Sequence, residues 1–301
     1  MAGKNENARR PIWSKGAGIT GTDTSPLYCR AGRAAFSPAR GFSLASFVDG
    51  VKAKIERVKA AAALILIPLL VHAQEARKLD KVCTPDDEDA LGLTCSETEP
   101  CPVFLELASA ESNGTSLFVT GDLHTQNTTM FGLLLRSDDQ GASWTEPNRR
   151  MRSATLEEIQ FVDPEHGWVS GVKLEPLPRD PFLLATTDGG KTWAESPLFD
   201  EPTFGSIQQF RFDSATDGEL ILDKSQGAAK RYERYATKTG GASWELQEAD
   251  NKPIRLAAAK PKENAGWRVR AGEDAYLVER RSGDGPWRPA AGFAIRAGEC
   301  R

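Results

Sequence analysis

Short apolar runs alternate with turn-forming residues from residue 102 onward. The runs are rich in Val, Ile, Leu, Phe and Tyr, and Gly, Pro, Asp and Asn cluster between them. This pattern is typical of β-strands, and no long apolar period of 3.6 residues indicates a helix. It predicts an all-β domain of four units, with strands at 103–107, 116–120, 131–135 and 143–145, at 159–162, 167–171, 182–185 and from 192, at 210–212, 219–222, 231–236 and 243–246, and at 254–257, 266–269, 275–279 and from 287.

Each unit contains a turn that ends on a tryptophan. These tryptophan turns read SDDQGASW at 137–144, TTDGGKTW at 186–193, TKTGGASW at 237–244 and, in shortened form, SGDGPW at 282–287. The tryptophans recur about every 40 to 50 residues, which is the length of one four-stranded propeller blade.

The turn residues are predicted to be structural and to fix strand register. We expect the aspartate to accept hydrogen bonds from backbone N–H groups of its own turn, and the glycine to adopt positive φ. The tryptophan should begin the outgoing strand and pack its large apolar face. The predicted set is Ser137, Asp139, Gly141, Trp144, Thr186, Asp188, Gly190, Trp193, Thr237, Gly241, Trp244, Ser282, Asp284 and Trp287, with Thr239 standing where the third turn should have Asp.

These turns resemble the Asp-box, or bacterial neuraminidase repeat, superfamily. The segment FVDPEHGWVSG at 161–171, followed by TDGGKTW at 187–193, is most similar to propellers of the photosystem II stability/assembly factor type, a repeat found in many exported bacterial proteins. The resemblance covers roughly residues 102–290 and implies a small β-propeller of about four four-stranded antiparallel blades, or an open propeller arc. Because each blade needs neighbours to cover its faces, the arc closes alone, stays open, or closes by pairing with another copy.

The N-terminal region carries an export signal inside the chain. Residues 52–59 contain four cations, 60–71 form an uncharged apolar run, and a small-x-small pattern predicts cleavage after Ala73. The run is too short to span a membrane; a buried core helix is the alternative. We therefore expect 51–73 to be a signal peptide, 1–50 to be disordered or to reflect a start site assigned too early, and the mature protein to be secreted or periplasmic without a membrane span.

The mature chain divides into an acidic, cysteine-containing segment at 74–101 and the propeller at 102–301. Four cysteines remain after cleavage, which predicts two disulfides in an exported protein. A Cys101–Cys300 bond that clamps the first and last blades, with Cys83–Cys95, competes with a local Cys95–Cys101 loop. The acidic body excludes nucleic-acid binding, and no motif indicates a cofactor or a metal.

Two function classes follow. The first is a non-enzymatic binding or assembly scaffold that presents a propeller face to an envelope or extracellular protein or glycan. The second is a sialidase-like glycoside hydrolase, for which Tyr232, Glu233 and Tyr235 supply a tyrosine and a carboxylate, although the arginine motif of sialidases is absent from the sequence. Structural roles are expected for His124 and His166, and the acidic run 86–89 is expected to be solvated. The sequence favours the first class.

Overall fold

The computed structural model describes residues 76–175, 179–257 and 266–301. The predictions for 1–50, for the signal peptide at 51–73 and for the cleavage site lie outside the described residues. Within them the chain is almost entirely β-structure, with sixteen strands and one helix, α1, at Pro85–Leu91. No helix in this part of the chain combines the length and the apolar character that crossing a bilayer requires.

The strands form four antiparallel sheets that follow one another as propeller blades. Blade 1 contains β1 (Cys101–Asn113), β2 (Ser116–His124), β3 (Thr129–Ser137) and β4 (Met151–Arg152); blade 2 contains β5 (Ala154–Phe161), β6 (Gly167–Lys173), β7 (Asp180–Thr186) and β8 (Ala194–Pro197); blade 3 contains β9 (Ser206–Phe212), β10 (Gly218–Asp223), β11 (Tyr232–Thr237) and β12 (Glu245–Asp250); and blade 4 contains β13 (Gly266–Ala271), β14 (Ala275–Arg281) and β15 (Arg288–Ala294). The last strand, β16 (Arg296–Cys300), returns to blade 1 and pairs with β1.

Three strand predictions were wrong. Residues 143–145 add only a single bridge to blade 1, between Thr145 and Arg136, and Met151–Arg152 is the outer strand instead. Residues 254–257 are not a strand, because the backbone of Leu256 and Ala257 bonds to side chains of blade 3. Nor does a tryptophan begin the outgoing strand: β8 starts at Ala194, β12 at Glu245 and β15 at Arg288, each one residue after the tryptophan.

Alternating side chains place one set of residues on each face of a blade. In β2, Leu117 and Val119 join a core shared with blade 4, whereas Phe118 joins a core shared with blade 2. In β6, Val169 faces blade 1 and Trp168 faces blade 3. The described residues therefore build three hydrophobic cores, at the 4/1, 1/2 and 2/3 junctions.

The junction between blades 3 and 4 is different. Their described residues share no hydrophobic cluster, hydrogen bond or ion pair. In strand register, Glu219 of blade 3 occupies the position of the aromatic residues Phe118 and Trp168. Its carboxylate binds Arg211 and Arg234 at 3.1 and 2.7 Å. A carboxylate at this position cannot enter an apolar core as the aromatic rings do.

Helix α1 begins with a capping box that the sequence analysis missed. Thr84 accepts a hydrogen bond from the Asp87 backbone N–H, and the Asp87 carboxylate accepts one from the Thr84 backbone. The signature is Thr-Pro-Asp-Asp, with proline in the first turn. Asp87 also pairs with Arg152 of blade 1 at 3.0 Å, so this part of the acidic run attaches the N-terminal segment to the first sheet.

Two disulfides form, and of the two alternatives the local Cys95–Cys101 loop is confirmed whereas the Cys101–Cys300 clamp is wrong. The bonds are Cys83–Cys300 and Cys95–Cys101, each with a Cα–Cα distance of 5.4 Å. Cys101 and Cys300 are direct partners in the β1–β16 register. The N-terminal segment, however, brings Cys83 to Cys300 and Cys95 back to Cys101. The long bond therefore attaches the last strand to the segment before blade 1.

Removing the Cys83–Cys300 bond should cost more stability than removing Cys95–Cys101. The cysteines are separated by 217 and by 6 residues, and the chain-entropy model gives losses of about 5 and about 2 kcal/mol. Urea unfolding of Cys83→Ala/Cys300→Ala and of Cys95→Ala/Cys101→Ala measures both values. Equal losses would refute the view that the long bond restricts the unfolded chain more strongly.

Candidate functional site

The first two tryptophan turns have the same pattern of internal hydrogen bonds. The Asp188 carboxylate accepts backbone N–H bonds from Lys191 and Thr192, both at 3.0 Å, and the Thr192 hydroxyl at 2.6 Å. Hydrogen bonds from the hydroxyl and backbone of Thr192 hold the pKa of Asp188 at about 2. The Trp193 indole N–H bonds the Gly190 carbonyl at 3.2 Å.

Asp139 repeats this arrangement in blade 1. Its carboxylate accepts hydrogen bonds from the hydroxyl and backbone of Ser143 and from the Ser137 hydroxyl, and these bonds hold its pKa at about 2. The Trp144 indole N–H bonds the Gly141 carbonyl at 3.1 Å. The aspartates therefore close the turns as the sequence predicts.

The third turn keeps the geometry with a hydroxyl in place of the carboxylate. Thr239 Oγ1 accepts the Ser243 N–H at 2.9 Å, and the Thr237 hydroxyl accepts the Gly241 N–H at 3.1 Å. The buried indole N–H of Trp244 has no hydrogen-bond partner. In this turn the single hydroxyl oxygen of Thr239 stands in place of the two carboxylate oxygens of an aspartate.

The fourth turn departs further. It is closed by a backbone bond from Gly285 to Ser282 at 3.1 Å, and within the described chain the Asp284 carboxylate accepts no N–H of the turn. The guanidinium groups of Arg268 and Arg281 lie over the Trp287 ring, at 4.3 and 4.8 Å from its centroid. This tryptophan thus contacts two cations and belongs to none of the three hydrophobic cores.

A residue in the first turn marks the candidate site. Gln140 has a φ of 58°, in the left-handed region, where the second and third turns have Gly189 and Gly240. A Cβ at either glycine would lie 2.7 Å from a backbone carbonyl, of Pro164 or of Ala215. Those carbonyls belong to the five-residue loops before β6 and β10. A glutamine at the position of Gly189 or Gly240 would therefore clash with a loop carbonyl.

Blade 1 has space for glutamine because its first hairpin is tight. The β1–β2 connection is only Gly114-Thr115, so no loop carbonyl covers Gln140. The shorter connection opens the 4/1 groove, a cleft between blades 1 and 4 with a volume of about 520 Å³. Its walls are formed by Glu111, Ser112, Gly114, Thr115, Ser116, Leu117, Gln140, Gly266, Trp267 and Arg280.

Gln140 and Arg280 meet inside this groove. The Arg280 Nη1 donates to Gln140 Oε1 at 2.7 Å, and its guanidinium lies over the Trp267 ring at 5.7 Å from the centroid. Trp267 is partly buried and packs against the core shared by blades 4 and 1. A second cleft continues past Arg280 to the fourth turn and to the exposed Arg288. The groove thus combines a fixed guanidinium with hydroxyl and amide groups, in a volume typical of ligand sites.

Sequence analysis missed Gln140, Trp267 and Arg280. The available signal was the comparison of the turns, in which SDDQG stands against TTDGG and TKTGG. A non-glycine residue at a left-handed position costs roughly 1 kcal/mol or more. Such a cost points to a functional constraint once the structure shows where the side chain lies.

The tyrosine and carboxylate proposed for a sialidase are hydrogen-bonded but buried. Tyr235 donates to Glu233 at 2.7 Å, and Glu233 pairs with Arg231 and Lys224. Burial, followed by the negative charge of Glu233, raises the pKa of Tyr235. Phe199 packs on the Tyr235 ring at 5.2 Å. A nucleophilic tyrosine needs the opposite shift and an open face.

The two histidines have structural surroundings. His124 Nδ1 lies 2.8 Å from the Thr125 carbonyl, and its ring stacks on Phe104. His166 Nδ1 lies 2.9 Å from the Asp163 carboxylate, which also accepts the His166 backbone N–H at 2.7 Å. Both rings thus belong to turn and strand contacts, as expected.

A group of acidic residues lies where blades 1, 2 and 4 approach one another. Asp122 and Glu106 are direct cross-strand partners, although like charges in this position are destabilising. Burial, followed by the charges of Glu106 and, more weakly, Glu157, raises the pKa of Asp122 to about 6, while His124 opposes the shift. The same two blade 1 carboxylates, after burial, raise the pKa of Tyr276 of blade 4.

Replacing Asp188 by alanine should lower the free energy of unfolding by about 1 to 2 kcal/mol, because several N–H and O–H donors lose their acceptor. The folded-state pKa is depressed, so this contribution is present above pH 4 and is lost as the pH falls toward 2. Thermal unfolding of Asp188→Ala, Asp188→Asn and Thr239→Asp tests this. Asn should lose less than Ala, and Asp at 239 should stabilise; a destabilising Thr239→Asp would contradict the proposed equivalence of the turns.

Replacing Asp122 by asparagine should stabilise the protein at neutral pH and not at pH 4. The folded-state pKa is raised, so wild-type stability falls as the pH rises from 4 to 6, as the carboxylate ionises. The gain above pH 7 should be about 2 to 3 kcal/mol. Denaturant unfolding from pH 4 to 8 measures it, with Asp284→Asn as the control for net charge. A gain independent of pH would show that ionisation is not its cause.

Comparisons with known proteins find similarity only at a distance. No protein-family model matches the chain, and no curated protein matches it. Among solved structures, YCF48 bound to a D1 peptide is 20% identical with a TM-score of 0.37, covering 63% of this chain and 56% of that chain. This chain therefore spans little more than half the length of YCF48. Zg3597, a family 117 glycoside hydrolase of Zobellia galactanivorans, is 8% identical with a TM-score of 0.37, covering 73% and 75%. The Penicillium chrysogenum α-L-arabinanase is 12% identical with a TM-score of 0.32, covering 67% and 68%.

Proposed function

We propose that this chain is an exported, non-enzymatic binding or assembly scaffold of the Asp-box type, which holds a segment of a protein partner in the 4/1 groove. The observation that carries the proposal is the left-handed Gln140, whose side chain fixes Arg280 over Trp267. Strained backbone positions cluster at functional sites and ligand clamps, so a strained residue that places its side chain in a groove supports a binding role. Its two disulfides are typical of the oxidising compartments outside the cytosol.

The groove suits a polypeptide better than a sugar. Sugars stack on an open aromatic face, and a sugar stacking on Trp267 would compete with the Arg280 guanidinium that lies over this ring. The fixed guanidinium and the Gln140 amide instead offer donors for backbone carbonyls and carboxylates. Arginine and tryptophan are also the residues that most often carry binding energy at protein interfaces.

The groove lacks the carboxylate pair of a glycoside hydrolase. Glycosidases of most families need two carboxylates on either side of the scissile bond, and Glu111 is the one carboxylate among the described lining residues. The alternative is a sialidase-like hydrolase that uses Tyr235 and Glu233. Its support is their 2.7 Å hydrogen bond; the burial of both side chains opposes it.

Peptide-display selection on the full chain tests the proposal. Selected peptides should lose at least tenfold in affinity on Arg280→Ala, since a charge-assisted contact is removed, and should also weaken on Gln140→Gly. The latter should keep stability within about 1 kcal/mol, because glycine adopts positive φ freely. Arg296→Ala, at an exposed position of β16 outside the groove, is the matched control.

Two results would overturn the proposal. One is selected peptides whose affinity is insensitive to Arg280→Ala, which would place binding elsewhere. The other is turnover of a fluorogenic sialoside or glycoside that Tyr235→Phe abolishes, which would establish the hydrolase instead. A glycan array probed with the same wild-type protein distinguishes a sugar ligand from a polypeptide.

A further inference from the structure

The face of blade 4 that is turned away from blade 1 carries charge where the other blades carry apolar residues. In strand register, Arg268 occupies the position of Val119, Val169 and Leu220. Each of those three residues is buried against the preceding blade. Blade 4 therefore carries a charged side chain at the position where the other blades use an apolar residue to receive the preceding blade.

The cross-strand partner of Arg268 also differs from the equivalent residues of the other three blades. Glu279 occupies the position of Leu135, Leu184 and Tyr235. It is almost fully buried and binds Arg268 and Arg270 at 2.7 and 3.0 Å. Although burial acts in the opposite direction, these two arginines lower the pKa of Glu279. Glu279 and its two arginines therefore form an ion-pair network on this face.

This basic face, defined by Arg268, Arg270, Arg281 and Trp287, has the composition of an interface. Arg268 and Arg270 remain 42% and 47% exposed, and Arg281 is exposed. Residues 266–301 contain seven arginines and no lysine. Protein interfaces are enriched in arginine and tryptophan and depleted in lysine, whereas a surface that serves solubility has no such preference.

The same chain carries a complementary surface at the other end of the blade series. The outer strand β12 is exposed along its whole length, and we call its residues Glu245, Leu246, Glu248 and Asp250 the acidic edge. Leu246 is 53% exposed and is the one large exposed apolar side chain among the described residues. The rest of that end is occupied by the chain after β12, whose Ala257 carbonyl accepts from Arg211. The edge is therefore the accessible part.

We infer that the basic face of blade 4 docks onto the acidic edge of blade 3 in a second copy of this chain. The contact would join blade 4 of one copy to blade 3 of another, two blades whose described residues share no hydrophobic cluster, hydrogen bond or ion pair within one copy. Because two different surfaces meet, the association is head-to-tail rather than two-fold symmetric. Because the basic face and the acidic edge carry opposite charges, a second copy of the chain is electrostatically complementary to the first.

Analytical ultracentrifugation of the full chain tests this inference. Wild-type protein should associate in a concentration-dependent manner at about 50 mM salt and should dissociate at about 500 mM, because exposed charges are screened. Arg281→Glu and Glu245→Arg should each weaken association at least tenfold. The double variant Arg281→Glu/Glu245→Arg exchanges the charges and should restore it, and so should an equimolar mixture of the two single variants.

Arg296→Glu, whose arginine is exposed on β16, is the matched control and should associate as wild type does. Three results would overturn the inference: a wild-type monomer at all concentrations, association insensitive to both single variants, or a monomer whose basic face binds polyglutamate or heparin. Circular dichroism excludes unfolding of each variant. Peptide binding in the 4/1 groove should persist in Arg281→Glu, so failure here is distinct from failure of the proposed function.

Discussion

The fold depends on aromatic packing between successive blades. A sheet with apolar side chains on both faces is stable only when each face is covered. Phe118 leaves blade 1 to pack on Phe161 of blade 2, with ring centroids 5.0 Å apart. Trp168 leaves blade 2 to stack on Phe212 of blade 3 at 3.6 Å, and its indole N–H bonds a carbonyl of the third turn. The same position in the second strands of blades 1 and 2 thus joins each of them to the next blade.

The same constraint explains why changes at the 3/4 junction come together. Once Glu219 replaces the aromatic residue on blade 3, an apolar face on blade 4 would be left against water and charge. Blade 4 instead carries the Arg268–Glu279 pair, and blade 3 extends its own ladder through Arg234 to Glu248. Glu219 and Glu279 are each held by two arginines. Blades 3 and 4, the two ends of the blade series, therefore carry ion pairs where the other junctions carry apolar side chains.

The sequence predicted what is decided locally. Turn residues such as Asp188 bond within five positions of themselves, so their spacing is enough to identify their role. The choice between Cys83 and Cys101 as the partner of Cys300 depends on where the N-terminal segment crosses the sheet, and no local pattern records this. The return of β16 to blade 1 has the same cause, since a five-residue strand can complete either neighbouring sheet.

The candidate groove was missed for a related reason, and it shows where function enters a repeat. Repeats predict what their members share, whereas a site must differ from its equivalents. Gln140 replaces a glycine only where a tight Gly114-Thr115 hairpin leaves room. Neither the glutamine nor the short hairpin is informative alone, because each is an ordinary surface feature. Their coincidence beside Arg280 opens the 4/1 junction at its surface while the core beneath it stays packed.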